Sequence, residues 1–227
     1  YKKKTFSLKK KYKSRFFSLL KAKIYGRKVR IHKNREFSFQ FQQTNLTVYH
    51  ALNYLQLVKT EDMAMLINHR PLLPLNIPKP PLLKEGQIYL AIAPGARYQA
   101  KKAPNDVFCE ILSHLAKKIQ ESNKSLVHLI LIGNAEDKEN TEFLNKKLNW
   151  NGSILDFAGK TSLFETVKIL KFCSASLCND SAIAHISEAL QKPVAMLFGP
   201  TIEQYGFAPH LARSQAFSSN LGCRPCS

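Results

Sequence analysis

The chain has 227 residues, 44% of them hydrophobic, which is enough apolar material to bury a core and excludes a compositionally disordered protein. Its net charge of +18 resembles that of a nucleic-acid binder, yet residues 1–40 hold 15 of the 34 Lys and Arg against one acid, Glu36, and carry +14 of that total. The remainder carries only +4, so nucleic acid is not an expected partner of the whole surface, and any electrostatic partner belongs to the N-terminal segment.

Residues 1–70 offer a basic segment (Phe6 to Ile24), a short extended stretch near Phe37 to Phe41 and a helix from about Leu46 to Val58. These cannot make a complete sheet, and they leave Phe16, Phe17, Leu19 and Leu20 without cover. The segment is therefore expected to be the tail of a domain whose beginning is absent. Anionic lipid, acidic glycolipid or RNA suits its charge. No apolar signal core follows Tyr1-Lys2-Lys3-Lys4, and no run approaches the ~18–20 apolar residues needed to span a bilayer, so a cytoplasmic location is expected. Residues 71–81 hold five of the eleven prolines, which favour extended backbone and mark residues 71–85 as a linker.

From residue 86 onward, apolar runs at Gln87 to Ala93, Leu126 to Ile132, Ile154 to Phe157, Ala175 to Cys178 and Val194 to Phe198 alternate with helical patterns. Those helices start near Asn105, Ala135, Ser162 and Ser181. In the one from Asp106 to Gln120, Val107, Phe108, Ile111, Leu112, Leu115 and Ile119 share a face opposite Glu110, Lys117 and Lys118. Short apolar strands separated by amphipathic helices predict a parallel sheet covered on both faces, an α/β domain over residues 86–227.

Four loops leave the carboxyl ends of these strands, where ligands of open α/β sheets bind. Pro94-Gly95-Ala96-Arg97 with Lys101 suits a phosphate, since turn amides, a helix start and two cations favour an anion; a solvated loop is the plainer alternative. Asp137, after the second strand, is placed to accept from ribose hydroxyls, or is simply an acid at a helix start. Asp180 and Ser181 open the fourth helix with His185 one turn along, although an N-cap and a packed histidine would explain them equally. Gly199-Pro200-Thr201 completes the rim.

Gly159-Lys160-Thr161 imitates the end of a P-loop, but Ile154 stands where the other glycine is needed. GxGxxG, GxSxG, HExxH and Asp-x-Asp patterns are absent. Five cysteines, an odd set with no signal peptide, are expected to be reduced thiols, and only Cys223 and Cys226 are spaced CxxC, half a zinc site at best, so no metal is expected.

In order, PGARYQAKKAP (94–104), LIGNAED (131–137), AGKTSLFE (158–165), NDSAIAHISEAL (179–190), KPVAMLFGPT (192–201) and CRPC (223–226) resemble the family 9 glycosyltransferases, the ADP-heptose:lipopolysaccharide heptosyltransferases. The NDS and CRPC versions lean toward the second heptosyltransferase type. The resemblance covers residues 86–226, with a weaker likeness at 48–58 to the region connecting the family's domains. It implies a GT-B-like protein of two Rossmann-like domains, of which this chain holds the complete C-terminal one, binding the donor, and the tail of the N-terminal one, binding the acceptor.

By matched position, the resemblance implies that Lys101 neutralises the donor pyrophosphate, that the Ala96 and Arg97 backbone cradles it, and that Asp137 holds the ribose. Thr161 and Ser162 border the adenine, while Asp180, Ser181 and His185 lie against the sugar and diphosphate. The family usually has Gly where Ala182 stands, and a methyl there would crowd a close-approaching sugar. The implied chemistry is inverting transfer from ADP-heptose, without metal, to a lipid A core acceptor at the inner membrane surface, where the basic segment would serve as a peripheral anchor. No segment matches the family's Asp base, so the catalytic base is unassigned and the chain alone is expected not to turn over. A different class of function, a non-catalytic protein holding RNA or anionic lipid through residues 1–35, is the alternative.

Overall fold

The computed structural model describes residues 73, 77–122, 126–203 and 207–219. The basic segment, the stretch at 37–41, the helix at 46–58 and the Cys223–Cys226 pair lie outside them. The chain divides into two compact units, Pro71–Ile202 with Pro209–Ser227 and Tyr1–Arg70 with Glu203–Ala208. The first contains the sheet.

Its elements run β1 (Ile88–Ala93), a 3-10 turn (Gln99–Lys101), α1 (Asn105–Glu121), β2 (Val127–Leu131), a 3-10 turn (Ala135–Asp137), α2 (Lys138–Lys147) and β3 (Ile154–Asp156). There follow α3 (Leu163–Phe172), β4 (Ala175–Asn179), α4 (Ala182–Ala189), β5 (Val194–Phe198) and β6 (Gln215–Ser218). The six strands form one parallel sheet in the order β3-β2-β1-β4-β5-β6.

The five strands expected from apolar runs are all present, because a strand buried on both faces has no polar side to interrupt it: every residue of β2 is buried. β6 was not expected. Its sequence, Gln-Ala-Phe-Ser, lies on the sheet edge with three of four residues exposed, so burial imposes no apolar run on it. The second helix opens with a 3-10 turn at Ala135 and becomes α-helical only at Lys138. α1 starts after Pro104 with Asp106 in its first turn and Lys118 in its last, the arrangement the macrodipole favours. At the start of α3, the Ser162 hydroxyl accepts from the Glu165 amide and the Glu165 carboxylate accepts from the Ser162 amide.

α1 and α2 pack side by side, as do α3 and α4. Phe108 and Leu112 of α1 and Leu144 of α2 are fully buried against Ile92, Leu129, Leu131 and Leu177 of the sheet. Each such side chain contributes roughly 1.5–3 kcal/mol through its burial. Cys173 and Cys178 are buried free thiols; burial raises both, Cys173 to about 12, so neither ionises at neutral pH. No helix among the described residues is long and apolar enough to cross a membrane.

The strand order positions the site. Connections from β1 lead toward β2 and β3, whereas those from β4 lead toward β5 and β6, so the loops after β1 and β4 diverge and leave a crevice between them.

Candidate functional site

Lys101 and Asp180 meet in that crevice. Lys101 lies at the end of the turn after β1 and Asp180 immediately follows β4. The Lys101 Nζ donates to Asp180 Oδ2 at 2.5 Å, and the Thr201 hydroxyl, from the loop after β5, donates to the same oxygen at 2.9 Å. The Asp180 side chain is 4% exposed, so this pairing neutralises a carboxylate withdrawn from water. His185, one helical turn beyond Ser181, has Asp180 and Lys101 among its charged neighbours. Three of the four rim loops therefore share one crevice.

Ser181 stands at the N-cap of α4 but makes no side-chain capping bond, so the plain capping explanation fails here. No side-chain cap takes the first-turn amides, which with the macrodipole favour an anion. Ala182 is exposed at the first helical position, its methyl beside the helix mouth.

Asp137 occupies the other flank. Its Oδ1 accepts from Lys102 Nζ at 3.0 Å and its Oδ2 accepts from the Asn134 amide at 3.1 Å, while the Asn134 side chain accepts from the Asp137 and Glu136 amides. The residue is 6% exposed. Both oxygens thus have partners within the protein, and the carboxylate ties the turn after β2 to the turn after β1. Gly95 rests directly on it, and a methyl group there would overlap the carboxylate. Because Lys102 and Asn134 hold Asp137 in place, Gly95→Ala is expected to destabilise the domain by about 1–3 kcal/mol. A lowered midpoint in thermal unfolding, about 2–4 °C per kcal/mol, checks this.

Ala96 is half-buried and Arg97 exposed, with the Arg97 guanidinium over the Tyr98 ring at 5.7 Å. Thr161 and Ser162 lie on the β3–α3 loop, their hydroxyls bonded to Thr166 and Glu165. The adjoining Gly159, at φ +66°, donates its amide to Gly133 O at 2.9 Å and joins this loop to the turn after β2. Among the described residues no His, Cys, Asp and Glu side chains form a group of three suited to a metal ion.

Beyond His185, α4 buries Glu188, 2% exposed. Its Oε1 accepts from the His210 and Leu211 amides at 2.7 and 3.0 Å, and its Oε2 pairs with His210 Nδ1 at 2.6 Å. Burial opposes ionisation of Glu188, but the hydrogen bonds from the His210 ring and from the Leu211 and His210 amides outweigh it and lower its pKa below 4.5. Burial lowers His185 below 6.5, with Lys101 and His210 acting in the same direction and Asp180 and Glu188 against it.

A depressed histidine costs stability once the unfolded chain begins to take its proton. A depressed carboxyl contributes stability above its unfolded pKa and loses it as pH falls through the folded value. Thermal midpoints are accordingly expected to be level between pH 6.5 and about 8, to decline below 6.5 and to fall further below 4.5. They should decline again at higher pH, where the unfolded thiols ionise and the buried Cys173 and Cys178 do not. Glu188→Gln reduces the lower step, leaving the part that comes from Glu165, and a melting series across pH detects both steps.

Lys102, Asn179, Glu188 and His210 were not predicted as site residues, and Thr201 was placed on the rim without a partner. A doubled lysine, a polar strand end and an acid within the apolar stretch AIAHISEAL were the only local signs, and none names a partner.

A family model described as glycosyltransferase family 9 (heptosyltransferase) matches residues 12–227. Lipooligosaccharide heptosyltransferase 2 of Haemophilus influenzae is 29% identical over 163 residues, 70% of this chain and 40% of the relative. Lipopolysaccharide heptosyltransferase 2 of Escherichia coli K12 is 30% identical over 115 residues, 49% of this chain and 31% of the relative. The solved structure of E. coli ADP-heptose LPS heptosyltransferase II aligns with a TM-score of 0.50 at 26% identity, over 60% of this chain and 40% of that one. The chain spans less than half the length of these curated relatives.

Proposed function

Since the chain belongs to glycosyltransferase family 9, the heptosyltransferases, we propose that it supplies the donor-binding half of an enzyme that transfers a heptose from ADP-heptose to the lipopolysaccharide inner core with inversion. The observation that carries this reading is the meeting of Lys101, Asp180, Thr201 and His185 at the β1–β4 crevice, beside a helix start that no side chain caps.

In this reaction an acceptor sugar hydroxyl attacks the anomeric carbon, the bond from that carbon to the ADP oxygen breaks, and the oxocarbenium-like transition state places growing negative charge on the departing diphosphate. Lys101 supplies a full positive charge to that diphosphate, and the first turn of α4 at Ser181 and Ala182 supplies partial positive charge. The Ala96 and Arg97 amides cradle the phosphates. Asp180, released from Lys101 when the diphosphate takes the cation, accepts from sugar hydroxyls together with His185, which its lowered pKa keeps neutral at pH 7. The proton of the attacking hydroxyl goes to a base that none of these residues provides.

Asp137 stands beside the ribose through the turn it holds, and Thr161 and Ser162 border the adenine. The +14 segment at residues 1–40 attracts the anionic membrane surface that bears the lipid A core acceptor, where each Lys or Arg near the surface contributes about 1 kcal/mol. This makes the enzyme a peripheral protein of the cytoplasmic face. ADP at millimolar concentration is expected to raise the thermal midpoint of the chain, and an unchanged midpoint would sink the reading.

A further inference from the structure

We infer that Asn179 is a positioning residue for the turn between β1 and α1, the turn that carries Ala96, Arg97 and Lys101; its importance for catalysis rests on the donor-binding role proposed above. Asn179 is the last residue of β4 and is fully buried. Its Nδ2 donates to the Pro94 carbonyl at 2.6 Å and its Oδ1 accepts from the Ala103 amide at 3.0 Å. Pro94 and Ala103 are the two ends of that turn, so a single side chain from another strand closes it. The orientation of the amide is fixed by its partners, because a carbonyl only accepts and a backbone N–H only donates.

The chemistry is demanding. The position needs a neutral group with one donor and one acceptor at the same reach, and it satisfies two backbone groups that no helix or strand serves. Both polar ends of the Asn179 side chain are engaged by the turn. The residue after it, Asp180, receives Lys101, which leaves the clamped turn. The end of β4 therefore fixes both members of that pair, one by a direct bond and the other through the turn.

An aspartate at this position turns the clamp into a proton-dependent one. As a carboxylate it still accepts from Ala103 but has no proton for Pro94 O, whereas the protonated acid offers a donor and an acceptor as the amide does. Its titratable and charged neighbours are the Cys178 thiol on its own strand, Asp180 just after that strand, and Lys101 and Lys102 from the turn. From β5 the residue paired with it is the apolar Leu197, and after β1 it meets the Pro94 carbonyl.

The test is protection of the Ala103 amide against hydrogen exchange, expressed relative to intrinsic exchange at each pH. It is measured from pH 5 to 8 in the native chain, Asn179→Asp and Asn179→Ala, with ADP affinity taken in parallel. Protection should be constant in the native chain and about ten- to a hundredfold lower at every pH in Asn179→Ala, as expected when buried polar groups lose their partners. In Asn179→Asp it should be low at pH 8 and return toward the native value as pH falls, with ADP affinity following. Native-like protection in Asn179→Ala, or a pH-independent Asn179→Asp, overturns the inference.

Should Asn179→Asp fail to fold at pH 8, recovery of folded signal on acidification counts for the clamp, failure to recover counts against it, and Asn179→Ala still reports on the turn. The exchange measurement needs no nucleotide. Failure of the native chain to bind ADP would therefore overturn the donor-binding reading while the Ala103 result still decides the role of Asn179 in holding the turn.

Discussion

Lys101→Ala is expected to abolish the thermal shift given by ADP and to weaken ADP binding about ten- to a hundredfold. A charge-assisted hydrogen bond from an ammonium to a phosphate contributes about 1.5–3 kcal/mol, and each 1.4 kcal/mol is a factor of about ten in affinity. The substitution has a second effect, which must be separated from the first. With no nucleotide bound, Lys101 balances Asp180, whose side chain is 4% exposed, so its removal leaves a buried carboxylate with Thr201 as its remaining side-chain donor in this pairing. The variant should therefore melt below the native chain before any ligand is added.

Adding Asp180→Asn removes the uncompensated charge and should recover much of that lost stability without restoring the response to ADP. Calorimetric titration of the single and double variants distinguishes the two effects. A Lys101→Ala variant that binds ADP as tightly as the native chain would remove Lys101 from the diphosphate role. On the proposed donor-binding reading, a donor would compete with Asp180 for Lys101.

Glu188→Leu should cause the largest loss of stability, about 3–5 kcal/mol or roughly 6–20 °C in thermal midpoint. Two backbone amides and a histidine ring donate to this buried carboxylate, and an apolar side chain leaves all three without their acceptor. Glu188→Gln should do better but not recover fully, since its amide turns a donor toward groups that also donate. Urea unfolding of the three proteins measures the difference. A loss below about 1 kcal/mol for Glu188→Leu would mean that water replaces the carboxylate and that the 209–211 segment is not held by α4.

The positions of β1 to β5, the start of α1 at Asn105 and the helix starts near Ser162 and Ser181 were legible in the sequence. Strand burial on both faces and helix amphipathicity are properties of neighbouring residues, so a window of ten or fifteen residues contains the whole signal. The rim loops were legible for the same reason, because each follows directly from a strand end. β6 was hidden, since an exposed edge strand is free of the burial that writes an apolar run.

The partners of the rim residues were decided only by the tertiary structure. Lys101 lies 79 residues from Asp180, and Asn179 lies 85 from Pro94. What brings them together is the reversal of strand order between β1 and β4, a property of the whole sheet that no local pattern records. It also assigned the adjacent lysines to different carboxylates, Lys101 to Asp180 and Lys102 to Asp137, and gave Asp137 a neighbour in Gly95. Sequence determined which chemical groups stand at the rim; the order of the strands determined which of them touch, because hydrogen bonds and ion pairs depend on distances of a few ångströms that chain separation does not set.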